Sequence, residues 1–553
     1  MTMADRARRF VENGMALHRR QPLVAAAALL LAGIVCGYRF GAWPLGAGVA
    51  LACAAALGWA ARAGLRAALA ALLTVALGWS LAAWDRDGRG EEARQFRALP
   101  PKPVFVCRVG PEVAVTPLRG RSAKYTFRAE RFRCEAGAFA CRQLPVEVSW
   151  FGARPGEGGA SPQPGEVWRL SGSGKVRKGR NGLLMLSVNT GEGRSRRLAA
   201  TEAGSWTARV ERARRLAAAR VTIGIESWGE IPALNQAMLL GSRHAMSAAM
   251  RRVFVDSGTI HVFAISGLHI VLVASVLVLA VASLGVPRTY WIVFVAPLLI
   301  FYTVTTGARP SAVRACLMAV LYFAAPLIGR KPSGIAALAG AAVLVHALHP
   351  WLIYDIGCVL SFVVMGGLVV FCRPFCMIAR RACGLGRMET QARLLDAAGE
   401  QGRARRLRWL KGAAQFLADS LAVSLAAWLA SVPLTAYYFG RFTPGGLFAN
   451  LVIGPCSFFI VVAGCLGMAA SLVSEWAAAC FNHAAGFFTL VMVRTAEVTA
   501  ACPGGNFRIA KWAPWMVWTW FGVLVGVAGW LRARRPDGLA WLNEGVGQRE
   551  DLQ

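Results

Sequence analysis

Charged residues are scarce in this chain, and acidic residues are the scarcest of them. Only 16% of the 553 residues are Asp, Glu, Lys or Arg, whereas a soluble globular protein carries about 25%. The 29 acidic residues stand against 61 basic ones, which gives a formal net charge of +32. The low charge argues against a soluble protein. The basic excess indicates a polyanionic partner, or equally a coding bias toward arginine.

Motifs for metals and nucleotides are also missing. The 14 cysteines are scattered, mostly in apolar runs, where cysteine behaves as a small hydrophobic residue. No CxxC pair or Cys/His cluster indicates zinc, and we expect no metal or cofactor. There is no Walker A motif, so any transport must draw its energy from a partner or a gradient.

Long apolar runs are what the sequence has in abundance, with 56% hydrophobic residues and a mean hydropathy of +0.47. Their number predicts a polytopic α-helical membrane protein with about twelve spans. A basic head (Arg6, Arg8, Arg9) before the first run resembles a signal peptide, but the runs that follow favour an anchored segment. The predicted spans are Leu23 to Tyr38, Leu45 to Ala61, Leu65 to Trp84, 260–285, 289–306, 310–328, 334–348, 351–372, 414–439, 446–472, 478–500 and 512–531.

The composition changes sharply at Asp85, where a water-soluble domain begins. Five short alternating strands separated by Gly, Pro and Arg-rich turns predict a small all-β domain, either an OB-like barrel or a sandwich. Residues 85–200 contain 22 basic and 11 acidic side chains. The predicted strands are Val104 to Val109, Lys124 to Arg133, Val146 to Trp150, Val167 to Leu170 and Leu183 to Val188.

These features divide the chain into five predicted parts. They are a membrane anchor of about three spans (1–84), the exported OB-like domain (85–200), an amphipathic helical connector (201–257), a transmembrane domain of about nine spans (258–535) and a cytoplasmic tail (536–553). With the N-terminus inside, the basic loops fall inside and the β domain outside, as the positive-inside rule requires.

The segment Asp256 to Ile270 (DSGTIHVFAISGLHI) places Ser, Gly and two His at the mouth of a membrane span. Polar groups in a bilayer are expensive and indicate function by default. On a helix, Ser266 and His269 would share one face. The alternative is that these small and polar residues only pack helix against helix.

Three further segments place polar or helix-breaking residues at membrane depth. The first contains Arg309, Ser311 and Arg314, where Arg309 could simply snorkel to the interface. The second carries Asp355 and Ser361 at a span entrance. The third runs from Pro433 to Asn450 and Pro455, and its Pro and Gly residues are expected to break helices, which requires a protein-lined or water-filled surrounding.

These segments together resemble the competence proteins of the ComEC type. The run from Leu239 to Gly241 and through His261 to His269 resembles the family's signature, and the other three segments resemble its later blocks. The resemblance covers about residues 230 to 460. It implies an inner-membrane channel for single-stranded DNA in natural transformation, working with other competence proteins such as a DNA receptor, a cytoplasmic motor or a separate nuclease.

The sequence departs from the family in two respects. Many members carry a metallo-β-lactamase-like domain, but this sequence contains no HxHxDH motif. Nuclease activity is therefore not expected, and we expect no enzyme. Cys358 stands where the family commonly has Gln, which leaves the polar role of that position in doubt.

The resulting hypothesis assigns residues to two surfaces. Basic grooves and the aromatics Tyr125, Phe127, Trp150 and Trp168 of the exported domain would bind a single strand as OB folds do, unless those aromatics form the barrel core. The basic candidates are Lys124, Arg128, Arg131, Lys175, Arg177 and Lys178. The membrane path would be lined by His261, Ser266, Gly267, His269, Arg309, Ser311, Arg314, Asp355, Ser361 and Asn450, with Asp355 or Asp256 as a counter-charge for Arg314.

Two alternatives and one covalent feature complete the sequence predictions. The residues Ala264 to Gly267 resemble the nucleophile motif of rhomboid-type intramembrane proteases, for which His346, His349 or His483 could serve as the base. A channel for another anionic solute would also fit a positive polar path. In an oxidising compartment, Cys134 and Cys141 could form a disulfide or remain free thiols.

Overall fold

The structure, a computed structural model, describes twelve stretches of the chain. They are 22–40, 63–99, 103–118, 122–135, 140–153, 162–178, 184–191, 194–199, 206–241, 246–263, 267–398 and 400–533. The chain forms two compact units. The first unit comprises Met1–Ala217, Ile300–Arg314 and Ala339–Val359, and the second comprises Ala218–Leu299, Ala315–Leu338 and Leu360–Gln553.

Two helices at the start of the first unit pack closely through glycines. Helix α1 spans Pro22–Phe40 and helix α2 spans Ala63–Arg97. A Cβ added to Gly33 would lie 2.0 Å from the Val75 carbonyl oxygen, and one added to Gly78 would lie 2.4 Å from that of Leu30. Small residues allow such approach where helices associate in lipid. The predicted span Leu45 to Ala61 falls outside the described residues.

The β domain of the first unit is one seven-stranded sheet rather than the five strands predicted. Its order is β5-β6-β3-β2-β1-β4-β7, and all neighbours are antiparallel except β3 and β6. Strands β5 and β7 were not predicted, and β1 continues well beyond Val109 because irregular pairing lets it bend. The strands are β1 Val104–Pro117, β2 Ser122–Cys134, β3 Val146–Ala153, β4 Val167–Ser171, β5 Ser173–Lys178, β6 Leu184–Gly191 and β7 Ser195–Ala199.

Gly172 brings the two sides of this sheet together. It is the only residue between β4, which pairs with β1, and β5, which pairs with β6. Strand β6 pairs with β3, β3 pairs with β2, and β2 pairs with β1. The pairings that start from β5 therefore lead back to β1, the partner of β4. A Cβ at Gly172 would lie 2.3 Å from the Asn189 carbonyl oxygen, so only glycine permits this close approach.

The large aromatic residues of the β domain form its core. Tyr125, Phe127, Trp150 and Trp168 are at most 3% exposed, and Trp150 lies edge-on to both Tyr125 and Trp168. Burying each such ring stabilises the domain by about 1.5–3 kcal/mol. The expectation that these aromatics stack on bases is therefore wrong, and the alternative of a packed core is confirmed.

Helix α2 runs unbroken past the predicted boundary at Asp85 and holds the β domain. The Glu92 carboxylate accepts hydrogen bonds from three successive backbone amides, those of Arg142, Gln143 and Leu144, at 2.7–3.2 Å. Farther along α2, the Phe96 ring stacks on Phe105 of β1 at 6.0 Å. Three amides on one carboxylate make a strong, directional attachment.

The remaining elements are helical apart from one short ribbon. The helices are α3 Trp206–Arg220, α4 Ile231–Leu240, α5 Ala248–Asp256, α6 Gly267–Ser283, α7 Trp291–Thr305, α8 Pro310–Ala324, α9 Gly334–Leu348, α10 Ile356–Ala382, α11 Leu385–Ala397, α12 Gln401–Phe439, α13 Gly445–Ala470, α14 Glu475–Ala501 and α15 Pro514–Ala533. The ribbon pairs β8 (Arg441–Phe442) with β9 (Phe507–Arg508).

The membrane character predicted from the sequence is confirmed, but the count of twelve spans is not. Within the described residues, six helices are long and apolar enough to cross a bilayer. Five shorter apolar helices accompany them. The six are Arg288–Thr305, Pro310–Ile328, Ile356–Ala382, Gln401–Phe439, Gly445–Ala470 and Glu475–Ala501.

The predicted helix break between Pro433 and Pro455 lies at neither proline. Pro433 is inside α12 and Pro455 is inside α13. Helix α12 ends instead at Gly440, whose φ of 61° is left-handed, a conformation that glycine adopts without a Cβ clash. Proline can stay within a membrane helix where neighbours satisfy the freed carbonyl.

We predict that Gly172→Val destabilises the β domain, because the new side chain collides with the Asn189 carbonyl where the pairings meet. Overpacking costs about 1–3 kcal/mol, so the midpoint of thermal unfolding of the purified full-length protein should fall by several degrees. Gly90→Ala is the control, since no atom lies within 4 Å of a Cβ at Gly90. Equal midpoints for both variants would show that the approach at Gly172 is not required.

The disulfide between Cys134 and Cys141 stays a prediction. Both sulfurs are free thiols in the structure, and a bridge between Arg133 and Ala140 holds their segments side by side. Burial, with the Glu92 carboxylate adding to it, raises the pKa of Cys141, so a native thiol there would react slowly.

Thiol labelling of the unreduced protein after denaturation decides the question, because denaturation removes the effect of burial. In protein isolated from an oxidising compartment, we expect Cys134 and Cys141 to resist the reagent until a reductant is added. Cys107, whose pKa burial raises to about 12 in the native protein, should be labelled either way. Immediate labelling of all three would rule out the bond.

Candidate functional site

The turn that follows α5 lies at the start of the segment Asp256 to Ile270, for which the sequence predicts a function. Ser257 and Thr259 are fully buried, with their hydroxyl oxygens 2.6 Å apart. Between them Gly258 has a φ of 76°, which favours glycine. The paired hydroxyls satisfy each other, so the turn holds its shape without water.

A second loop, between α12 and α13, packs directly on this turn. A Cβ at Gly258 would lie 2.7 Å from the Thr443 hydroxyl oxygen, and one at Gly446 would lie 3.3 Å from the Ser257 carbonyl oxygen. Trp428 of α12 donates its indole N–H to the Thr443 carbonyl at 3.1 Å. Glycines on both sides therefore bring the two loops into backbone contact.

Asp256 joins these two loops to a third, between α14 and α15. One carboxylate oxygen accepts a hydrogen bond from Arg441 Nη1 at 2.6 Å and another from Asn506 Nδ2 at 3.3 Å. The Arg441 side chain is 24% exposed and that of Asp256 is 37% exposed. The pair is thus partly screened by solvent. Its importance is that it ties together residues far apart in sequence.

Backbone hydrogen bonds complete the junction of the three loops. Ile509 N–H donates to the Gly440 carbonyl at 3.0 Å, and Gly445 N–H donates to the Gly505 carbonyl at 3.0 Å. Between them lies the ribbon of β8 and β9. The ends of α12 and α14 and the starts of α13 and α15 therefore meet at this junction.

The predicted residues that follow this turn are only partly described. His261 is exposed, with its Nδ1 3.3 Å from the Gly258 carbonyl oxygen. Gly267 is the first residue of α6, and His269 is 1% exposed. Ser266 lies outside the described residues, so the shared face of Ser266 and His269 stays a prediction.

Ser361 and Asn450 are half-buried on helices of the second unit. Asn450 Nδ2 donates to the Ser424 hydroxyl at 3.5 Å, and that hydroxyl donates to the Leu447 carbonyl at 3.0 Å. These bonds connect α12 with α13. Helix-to-helix packing accounts for Asn450 as well as a path does.

Arg309, Ser311 and Arg314 belong to the first unit. Arg314 is 4% exposed on α8, whereas Arg309 and Ser311 are half-buried at the start of that helix. The preceding turn contains Gly307 with a φ of 93°. Arg314 is thus enclosed by protein, as expected for a charge that lipid would not tolerate.

The two acids proposed as counter-charges for Arg314 have other partners. Asp256 pairs with Arg441. The Asp355 carboxylate accepts the backbone N–H of Cys358 at 2.8 Å, which caps the N-terminus of α10. Cys358 itself is 1% exposed. The counter-charge of Arg314 therefore stays a prediction, and Asp355 has a structural role that the sequence did not indicate.

The basic candidates of the β domain are spread over its outer surface. The Arg128 guanidinium lies 5.5 Å from the centre of the Trp351 ring, and Arg89 lies 5.6 Å from the same ring. Trp351 thus competes with any ligand for Arg128. Lys124 lies over the ring of Phe151 at 5.9 Å, and Phe151 is 41% exposed.

Three other basic candidates of the domain, Arg131, Lys175 and Arg177, face solvent. Lys175 and Arg177 are exposed on alternate positions of β5. Arg131 is exposed at the end of β2, with a φ of 49°. Lys178 is the last residue of β5, and its side chain lies outside the described residues. Solvent-facing Lys and Arg can reach a polyanion without losing a protein partner.

The histidines considered as protease bases contact groups close to them in sequence. Nδ1 of His346 donates to the Ala342 carbonyl at 2.9 Å, and Nδ1 of His483 donates to the Ala479 carbonyl at 2.7 Å. His349 lies near the Trp351 ring. Among the described residues, no three His, Cys, Asp or Glu side chains come together as a metal site would need.

Sequence reasoning missed Arg441, Asn506 and Arg508. A signal existed, since Arg441 directly follows the helix-ending Gly440 in a Gly- and Pro-rich loop. Its pairing with Asp256 spans 185 residues and that of Asn506 spans 250. Such separations cannot be read from local patterns.

Comparison with known proteins covers the part of the chain that holds this junction. The family model described as "Competence protein" matches residues 238–535, which is more than half of the chain. A curated relative from Bacillus subtilis (strain 168), "ComE operon protein 3", is 24% identical over 229 residues. The aligned region is 41% of this chain and 25% of the relative, so the match spans about a quarter of the relative's length. No solved structure matches. The chain belongs to the competence protein family.

Proposed function

We propose that this protein is an inner-membrane conduit that carries single-stranded DNA into the cytoplasm during natural transformation. The observation that carries the proposal is the junction of Asp256, Arg441 and Asn506, which lies within the region matched by the competence family. Irregular polar loops at membrane depth are tolerated where protein encloses them or where they line a water-filled cavity, and we propose that these loops border the path.

The charge of the chain favours a polyanion as the solute. The net charge is +32, and the basic candidates Lys175, Arg177 and Arg131 are exposed on the β domain. Lys and Arg that contact phosphates release counterions, which drives binding to nucleic acid without sequence preference. Another anionic solute would use the same positive path, so the substrate is the feature that an experiment must decide.

The pairing of the β domain supports an OB-like barrel as the DNA-receiving module. OB folds are small Greek-key barrels in which strands follow the same closed circuit of neighbours. Here Gly172 lets one continuous stretch of chain pair with β1 on one side and β6 on the other. Because the aromatic core residues are buried, we propose that the domain binds DNA mainly through its charges.

We also propose that the protein acts as a conduit rather than an enzyme. His346 and His483 each donate Nδ1–H to a carbonyl of their own helix, which leaves Nε2 able to accept a proton, so a serine-reactive probe must distinguish the conduit from a protease. The termini would lie in the cytoplasm and the β domain outside. The proposed partners are the single strand, the bilayer, and other competence proteins that receive DNA, pull it or degrade its complement.

We predict that Arg314→Ala and Gly267→Leu block DNA entry while the protein remains inserted in the membrane. Loss of a charge-assisted contact of about 1.5–3 kcal/mol at Arg314, or obstruction of the path by a leucine side chain at position 267, should lower nuclease-protected DNA uptake roughly tenfold or more. Arg494→Ala is the matched control, because Arg494 is exposed and pairs only locally with Glu497. Ser266→Ala should have a milder effect.

The same variants distinguish the conduit from a protease. If Ser266 were a nucleophile, Ser266→Ala would abolish function, and a fluorophosphonate probe would label the wild-type protein at that serine. Such labelling would replace the conduit by an intramembrane protease. Uptake by Arg314→Ala equal to that of the wild type would remove Arg314 from the path.

We predict that the β domain of the full-length protein contributes weak, salt-sensitive binding of single-stranded DNA. Replacing both Lys175 and Arg177 by Gln should make the dependence of log affinity on log salt shallower by about 1.4, at about 0.7 for each lost phosphate contact. Fluorescence anisotropy with an oligonucleotide measures this slope. Arg169→Gln is the control, since Glu135 already neutralises Arg169. An unchanged slope would leave the domain as a structural gate.

A further inference from the structure

The ribbon of β8 and β9 places two arginines directly opposite each other. Arg441 pairs with Arg508 and Phe442 pairs with Phe507. Opposite residues of neighbouring strands have Cβ atoms about 4.5–5.5 Å apart on one face. One face of the ribbon therefore carries two guanidinium groups, and the other carries two phenyl rings.

The aromatic face anchors the ribbon to the rest of the second unit. The Phe442 ring lies 6.3 Å from that of Phe507 and 5.3 Å from that of Trp428. Backbone hydrogen bonds at Gly440 and Gly445 hold both ends of the ribbon. The arginine face is thus presented by a supported backbone, and its spacing does not depend on a flexible loop.

Two like charges facing each other on a ribbon are destabilising unless an anion lies between or beside them. Asp256 supplies one anion, and its carboxylate contacts Arg441. Within the described residues, no carboxylate pairs with Arg508, which is exposed, and the exposed Lys511 follows three residues later. The three cations outnumber the single acid, so the site retains the capacity for a second anion.

We propose that the paired arginines Arg441 and Arg508 bind a backbone phosphate of a nucleic acid strand, and that Asp256 occupies Arg441 until the phosphate displaces it. The inference rests on the proposed function and names the chemical group that this part of the protein recognises. A guanidinium offers a planar fork of donors that fits phosphate oxygens. Two forks held at a fixed spacing can share one phosphodiester.

Asp256 lowers the affinity of the two arginines for phosphate, and a conduit benefits from this lower affinity. A conduit must bind its cargo favourably enough for entry but weakly enough for release. Because Asp256 competes with each arriving phosphate for Arg441, the phosphate gains less than it would at two unpaired arginines. The acid thereby favours successive brief contacts over one long-lived complex.

The competition predicts opposite effects for two substitutions. In the purified full-length protein in lipid-free detergent, Arg508→Gln should weaken binding of a fluorescent single-stranded oligonucleotide roughly two- to fivefold, the range of an exposed ion pair. Asp256→Asn should strengthen binding, because Arg441 loses its internal partner. Arg494→Gln, an exposed arginine with a local partner, is the control and should leave binding unchanged.

A methylphosphonate oligonucleotide of the same sequence identifies the recognised group. It lacks the phosphate charge, so the wild type and Arg508→Gln should bind it equally. If Arg508→Gln binds the phosphodiester strand as well as the wild type does, the inference is wrong. It is also wrong if phosphatidylglycerol micelles, and not the oligonucleotide, distinguish the two proteins, because the site would then serve a lipid headgroup.

The outcome can be separated from that of the proposed function. If the wild type takes up DNA in cells and Arg508→Gln shows no binding defect, only the inference about the ribbon fails. If the wild type supports no DNA uptake, the proposed function fails regardless of the ribbon. Should Asp256→Asn fail to give monodisperse protein, the Arg508→Gln and methylphosphonate comparisons still decide the inference.

Discussion

Backbone amides and carbonyls that leave a helix inside or beside a bilayer must find partners within the protein, and the junction of three loops in the second unit satisfies this requirement. The ribbon and the paired Gly445 and Gly505 provide such partners, and the Ser257 hydroxyl donates to the Phe254 carbonyl. Glycines make the arrangement possible, because side chains at Gly258 or Gly446 would separate the loops. The position of every charged group at the junction depends on this packing.

The first unit meets a different constraint, that of holding the β domain to the helices that precede it. Helix α2 extends beyond Asp85 and offers Glu92 to three amides of the β domain. At Asp85 the carboxylate accepts a hydrogen bond from the Tyr38 hydroxyl and pairs with Arg89 at 2.9 Å. Trp351 then lies against both Arg89 and Arg128. Since both arginines share one ring, the domain is held through an ordered set of contacts rather than by a loose linker.

These contacts determine which basic residues of the β domain are available to bind a polyanion. Arg128 was a candidate for DNA, yet it faces Trp351. Lys175 and Arg177 remain exposed. A count of basic residues indicates a polyanion as partner, whereas only the packing shows which of the cations are free to meet it.

The elements with a strong local pattern could be predicted from the sequence. The apolar run 446–472 became α13 at Gly445–Ala470, and the alternating residues from Val146 to Trp150 became β3. Local patterns failed where distant residues decide the outcome. The extension of α2 past Asp85 carries Glu92, whose partners in the β domain lie 50–52 residues farther along the chain. The buried Tyr125 and Trp150 look the same in sequence whether they form a core or a stacking surface.

The location of the site in the chain could be predicted from the sequence, but the contacts between its residues could not. The sequence marked Asp256 to His269 and the loop after Phe439, because glycine, proline and polar residues are unusual at membrane depth. It gave no indication that Asp256 contacts Arg441 and Asn506, since an ion pair across 185 residues and a hydrogen bond across 250 leave no periodic signal. Asp355 was assigned to a path because it is a carboxylate at a span entrance, and the structure adds that it accepts the Cys358 amide at the start of α10.

The proposed function requires that the protein passes one strand of DNA and not anions in general. A strand-specific uptake assay tests this claim most directly. Duplex DNA labelled on one strand or the other is given to cells that carry the protein as their only member of this family. The account predicts that nuclease-protected label accumulates inside from a single strand of each duplex, and that small anionic solutes enter no faster than in cells without the protein. Protein-dependent entry of those solutes, with no protected DNA inside, would contradict it.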